Sequence, residues 1–154
     1  MSGLDDLYQE LILDHSKRPH GKGLLGAEGD PHTAESHQRN PICGDEITLR
    51  ARITTSGGGA DGDLIAEVSW DGSGCSISQA SASMLTELVV GRSRAEAAEL
   101  IDGFREALRS RGAVELDEDV YGDAAALTGV SRYVARVKCA MLGWVALEDA
   151  LHRA

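Results

Sequence analysis

Three cysteines and one nearby acid are the residues of this chain best suited to hold a soft metal or to react as thiolates. Cys43 stands in NPICGDEITL, and Asp45 follows two residues later. In an extended segment both side chains would leave the same side of the backbone. Gly44 between them lets the chain turn close to a bound ion. Cys75 follows Asp71-Gly72-Ser73-Gly74 and opens a helix, where partial positive charge and unpaired N–H groups suit a thiolate. Cys139, in RVKCAMLGW, is expected at the start of the last helix, with the cations of Arg136 and Lys138 just before it. All three cysteines therefore fall at junctions between elements. Three thiolates and one carboxylate make a complete tetrahedral zinc shell, with Zn–S about 2.3 Å and Zn–O about 2.0–2.2 Å. Spacing alone leaves the bland alternative open, because free cysteine is among the most buried residue types. No Cys-x-x-Cys pair is present.

Other chemistries find less support. His20, His32 and His37 lie in a polar stretch and read as solvated, and His15 sits where a helix C-terminus suits a cation. Ser73, Ser76 and Ser78 surround Cys75, but no His or Asp partner is placed by motif for a serine nucleophile. Gly72 and Gly74 are not followed by the Gly-Lys-Ser/Thr of a phosphate loop. The acidic run Glu115 to Asp119 reads as solvated surface.

Composition sets the frame. The chain has 154 residues, 42% of them apolar and only 4% aromatic, so the core must rest on aliphatic side chains. Twenty-five acids against fifteen bases leave a net charge of -10. That balance argues against nucleic acid or an anionic membrane as partner and is compatible with a protein that has a basic face. The apolar stretch from Cys139 to Leu147 is too short to span a bilayer. The acidic N-terminus is unlike a secretory signal, and an odd number of scattered cysteines makes no disulfide framework. A reducing, cytoplasmic home is expected.

The elements that must position these residues follow from periodicity. Leu4, Leu7, Tyr8, Leu11 and Ile12 predict an amphipathic helix over 4–15, and 16–41 reads as a long exposed loop. Ile47, Leu49, Ala51 and Ile53 alternate with Glu46, Thr48, Arg50 and Arg52, and Leu64, Ala66, Val68 and Trp70 repeat the alternation beyond a turn at 55–62. The two runs predict an antiparallel hairpin. A helix over 76–90 carries Ile77, Ala80, Met84, Leu85 and Leu88 and ends at Gly91. Ser93 and Glu96 spell a capping box for a helix through Leu108, with Gly112 as its C-terminal cap. Residues 112–131 read as irregular. A last helix, 139–152, buries Leu142, Val145, Ala146 and Leu147, with Trp144 at its margin. Strands first and helices afterwards predict one α+β domain spanning 1–154.

The strings NPICGDEITL, GSGCSISQASASMLTEL and GVSRYVARVKCAMLGWVALEDAL resemble the three cysteine segments of the U-type iron–sulfur assembly proteins, the SufU, IscU and NifU N-terminal superfamily. The resemblance covers nearly the whole chain. It is nearer to SufU than to IscU: Lys138 stands where IscU-type chains have a His, and 112–131 resembles the SufU insertion. The resemblance implies a small antiparallel sheet packed on helices, with Cys43, Asp45, Cys75 and Cys139 converging at one end to hold zinc. It further implies a sulfur carrier that takes persulfide sulfur on Cys43 from a SufS-type cysteine desulfurase and passes it to downstream iron–sulfur assembly proteins. Two alternatives stay open: a scaffold that builds a [2Fe–2S] cluster through the three cysteines, and a structural zinc module that binds partners.

Overall fold

A computed structural model describes residues 3–24, 32–40, 44–54 and 63–153. The expected turn at 55–62 and the side chains of Leu4 and Leu7 lie outside the described residues. The elements run α1 (Gly3–Lys17), β1 (Thr33–Arg39), β2 (Glu46–Thr54), β3 (Leu64–Ser73), α2 (Ser76–Val89) and α3 (Arg94–Arg109). A short α4 (Glu118–Tyr121), a 3-10 run (Gly122–Arg132) and the long α5 (Val134–Arg153) complete the order. This is the expected α+β architecture: an antiparallel sheet in the order β1-β2-β3 packed on helices.

The β2 alternation puts Ile47, Leu49, Ala51 and Ile53 in the core. The pairing with β3 is antiparallel, with Leu49 opposite Trp70 and Ala51 opposite Val68. A register shift between Arg52 and Ile53 then changes which β3 residues point inward. Ile53 faces Ile65, which is fully buried, while Leu64 is left exposed. The simple period of two therefore fails at one end of β3, because a bulge moves the inward position by one residue.

The expected loop over 16–41 contains a strand. β1, of sequence TAESHQR, pairs with β2 along its whole length at the edge of the sheet. Only Ala34 and Ser36 are buried in it, so it has almost no apolar alternation to read. Ser36 is secured by a polar contact, its Oγ donating to Asp149 Oδ2 of α5 at 2.7 Å.

Helix α5 packs across β1 and β2 and against α2 and α3. It begins at Val134, five residues before the expected start at Cys139. Trp144, expected at a margin, is fully buried and stacks on Phe104 with ring centroids 3.8 Å apart. Burial is tolerated because its indole N–H donates to Ser81 Oγ at 2.9 Å, and that hydroxyl donates on to the Ala140 carbonyl. Gly143 lies against Ala82, so α2 and α5 approach closely where both carry small residues.

The remaining helix ends explain the links. Ser93 and Glu96 form the reciprocal capping box. Helix α3 stops at Arg109, and the chain turns through Arg111 (φ 55°) before Gly112 (φ 90°), so the first left-handed position is an arginine and not the expected glycine. The stretch read as irregular is ordered as α4 and the 3-10 run, with Ala124 to Leu127 in the core. His15, near the C-terminus of α1 as expected, is buried. Its Nε2 lies 2.9 Å from Asp123 Oδ2 and its Nδ1 2.7 Å from Ser83 Oγ. In the neutral ring the acceptor-only carboxylate takes the Nε2 hydrogen, and Nδ1 accepts from the Ser83 hydroxyl. That side chain ties α1 to α2 and to the 3-10 run.

Candidate metal centre

The link between β1 and β2 sets the first candidate ligand. Asn40 N–H donates to the Asp45 carbonyl at 2.7 Å, and Gly44 N–H donates back to the Asn40 carbonyl at 2.8 Å. Gly44 has φ 77°, a left-handed value that glycine adopts without Cβ strain. The link is thus closed by two backbone hydrogen bonds, while the expected extended Cys43–Asp45 stretch lies partly outside the described residues. It delivers Asp45 into the protein, where the residue is 5% exposed. Cys43 lies outside the described residues.

The register of the hairpin brings the second candidate ligand to the first. Glu46 pairs with Ser73, so the chain leaving β3 passes directly over Asp45. Cys75 is the N-cap residue of α2, as expected, and is half-buried. Its N–H donates to Asp45 Oδ1 at 3.3 Å, and its Sγ lies 3.6 Å from Asp45 Oδ2. Gly74 makes the approach feasible: a Cβ there would run into Ser78 Oγ and come within 3.0 Å of the Asp45 carboxylate.

Cys139 comes from α5. It occupies the second turn of that helix and not its start, the place expected for it. It is almost fully buried, with Sγ 3.9 Å from the Ala135 carbonyl. The α2–α5 contact through Ser81 and Ala140 fixes the two cysteine-bearing helices side by side. Ligand atoms of Asp45, Cys75 and Cys139 all lie within 4.8 Å of one another. Three of the four residues singled out in sequence therefore meet.

The donor set fits a thiophilic divalent ion. With the thiols deprotonated, two sulfurs and one carboxylate gathered in this space would repel one another, and a cation between them would offset that repulsion. Among the described residues no Lys, Arg or His forms an ion pair with Asp45. Arg136 and Lys138, the expected outer cations, are exposed. Arg136 borders a cavity of about 660 Å³ that also reaches Cys75, Tyr8 and Tyr133. The loop histidines stay apart from this cluster: His37 bonds Thr48, and His20 pairs with Glu87 at 3.1 Å. Sequence reasoning missed that His15, His20 and Glu87 also bring ligand atoms within 4.8 Å of one another. Both His15 nitrogens are already engaged, so that group is a structural clip.

A family model described as the NifU-like N terminal domain matches residues 7–151. The chain belongs to this family. Two relatives are 38% identical. One is the "Zinc-dependent sulfurtransferase SufU" of Bacillus subtilis, aligned over 97% of this chain and 92% of its own length. The other is the "Iron-sulfur cluster assembly scaffold protein IscU" of Streptococcus pyogenes, aligned over 99% of this chain and 87% of its own. Among solved structures, a putative iron–sulfur cluster assembly scaffold protein for the SUF system from Fervidobacterium islandicum is 35% identical. It superposes with a TM-score of 0.68 over 92% of this chain and 94% of its own. A NifU-like protein from Brucella abortus, 22% identical with a TM-score of 0.77 over 99% and 96%, shares the fold. Among the described residues no helix is long and apolar enough to cross a membrane.

Proposed function

We propose that this protein serves iron–sulfur cluster assembly as a zinc-bound sulfur carrier. The observation that carries the reading is the meeting of Asp45, Cys75 and Cys139 at one point in a fold shared with iron–sulfur assembly proteins. Cys43, two residues before Asp45, supplies the fourth ligand and the sulfur acceptor. Zinc in this donor set would give a closed shell that shields the thiols from oxidation. The acceptor step is thiolate exchange. The Cys43 thiolate attacks the terminal sulfur of a persulfide on a SufS-type cysteine desulfurase; one S–S bond forms as another breaks, and the desulfurase thiolate leaves. Cys43 then holds the sulfur for downstream assembly proteins. Asp45, Cys75 and Cys139 keep the site in shape throughout, and the reducing cytoplasm is where such thiols persist.

The test is turnover of a SufS-type desulfurase with cysteine, alongside mass detection of sulfur added to this chain. Wild type should stimulate turnover and gain a sulfur on Cys43, and Cys43→Ser should lose both. A Cys43→Ser protein that stimulates like wild type moves the acceptor role to Cys75 or Cys139. A second reading, a scaffold that builds a [2Fe–2S] cluster on the cysteines, is favoured by the name of the Streptococcus pyogenes relative, which is equally similar. Stoichiometric zinc in colourless protein supports the carrier, and a brown protein with iron and sulfide supports the scaffold. Zinc without any added sulfur leaves a structural zinc module.

A further inference from the structure

Beside the metal centre lies a groove of about 520 Å³ whose electrostatics run against those of the whole molecule. The chain carries a net charge of -10, yet among the described residues five Lys and Arg side chains line this one groove and no Asp or Glu does. Arg105 is held in the wall by Asp102 and Glu148, at 3.2 and 2.7 Å. Arg39, Arg109, Arg111 and Lys138 are exposed, and none forms an ion pair among the described residues. They come from four places: the end of β1, the end of α3, the link after it, and α5. Arg111 is placed at a cost. Its left-handed backbone (φ 55°) is one that a side chain disfavours, although a glycine is the very next residue.

The floor of the groove is apolar, formed by Leu108, Val137, Met141 and Val145. One end reaches the metal centre, since Asn40 bonds Asp45 and Lys138 precedes Cys139. We propose that this groove docks an acidic segment of a partner protein, one that seats a bulky apolar side chain on the floor and sets carboxylates against the arginine rim. An inorganic anion would make no use of the floor, and an uncharged apolar ligand would leave the rim unpaired. Nucleic acid or an anionic bilayer would meet the field of the whole acidic protein, whereas a short segment meets chiefly the local one. A segment seated here is brought alongside the centre. The inference needs neither zinc nor sulfur transfer to be true.

The experiment titrates the folded protein, without desulfurase, into a short labelled peptide of alternating Leu and Glu and reads fluorescence anisotropy. Binding should be saturable and weaken as salt is raised. A Leu/Lys peptide and a Ser/Glu peptide should not bind, which separates the rim from the floor. The double variant Arg39→Glu, Arg109→Glu should weaken binding by about tenfold or more with an unchanged melting temperature. The corresponding pair of Lys substitutions should retain it. Equal binding of the Leu/Lys peptide, or full binding by the charge-reversed variant, overturns the proposal. So does capture by anionic phospholipid vesicles of a protein that ignores the peptide. A desulfurase assay on the same samples fails or succeeds separately, so loss of one reading leaves the other standing.

Discussion

Helices α2 and α3 begin in opposite ways. At the start of α3, Ser93 Oγ accepts from Glu96 N–H at 3.1 Å, and the Glu96 carboxylate accepts from Ser93 N–H. At the start of α2 the N-cap residue is Cys75, which makes no side-chain cap bond, and no acid stands in the first turn. The orphan N–H of Cys75 is instead served by Asp45, from another strand. A serine at the cap would be worth about 1 kcal/mol to such a helix. The first helix terminus is built for stability, and the second gives up local stability to keep a sulfur at the meeting point of β2, α2 and α5.

The largest effect expected from disturbing this contrast is at Cys139. Cys139→Ala should abolish stoichiometric zinc binding, read by metal analysis, and lower the melting temperature of the metal-loaded protein; retained zinc with an unchanged melting temperature would show the ligand set to be wrong. Gly74→Ala removes no ligand but drives a methyl group against Ser78 and Asp45. It should weaken zinc in a chelator competition and cost about 1–3 kcal/mol through overpacking. Ser93→Ala should cost about 1 kcal/mol, a fall of roughly 2–4 °C in melting temperature, and leave zinc affinity untouched. Cys75→Ser is the sharpest case because its two effects oppose. It should raise the stability of metal-free protein by up to about 1 kcal/mol while weakening zinc.

The smallest effect lies at the sheet edge. The hydrogen bond from Ser36, followed by the charge of Arg153, holds the Asp149 carboxyl below its ordinary value. A carboxylate lowered in the folded state adds stability above its unfolded pKa, and that stability is lost as pH falls through the folded value. Ser36→Ala should therefore narrow the acid range of stability, by less than about 1 kcal/mol at neutral pH, with melting curves converging at low pH.

Legibility in the sequence followed the physics of each element. The β2 strand could be read because one face is buried and the other wet, which forces Ile47, Leu49, Ala51 and Ile53 into alternation. The capping box could be read because its chemistry is local. β1 could not, since an edge strand needs little apolar surface once Ser36 is bonded to α5. Ile65 was misjudged because a bulge is decided by the partner strand. Trp144 was placed at a margin because nothing in its own helix reveals that Ser81 will satisfy its N–H. At the metal centre, residue types pointed to Asp45, Cys75 and Cys139, but the turn at Gly44 and the clearance over Gly74 depend on strand pairing. His15 offered no signal at all, because its partners lie far away in sequence.

That same separation in sequence bears on how the protein folds. Asp45 lies 30 residues before Cys75, and Cys139 lies 64 residues beyond it. No two of the three can meet through a short loop, so closing the site carries the entropic cost of long loops. Asp45 and Cys75 can come together once the β2–β3 hairpin is paired, but Cys139 joins only after α5 has docked on α2 and the sheet. A metal ion at the proposed site would therefore gain its full ligand set only once this topology has formed. Added zinc should slow unfolding far more than it speeds refolding, the kinetic signature of a contact absent from the transition state.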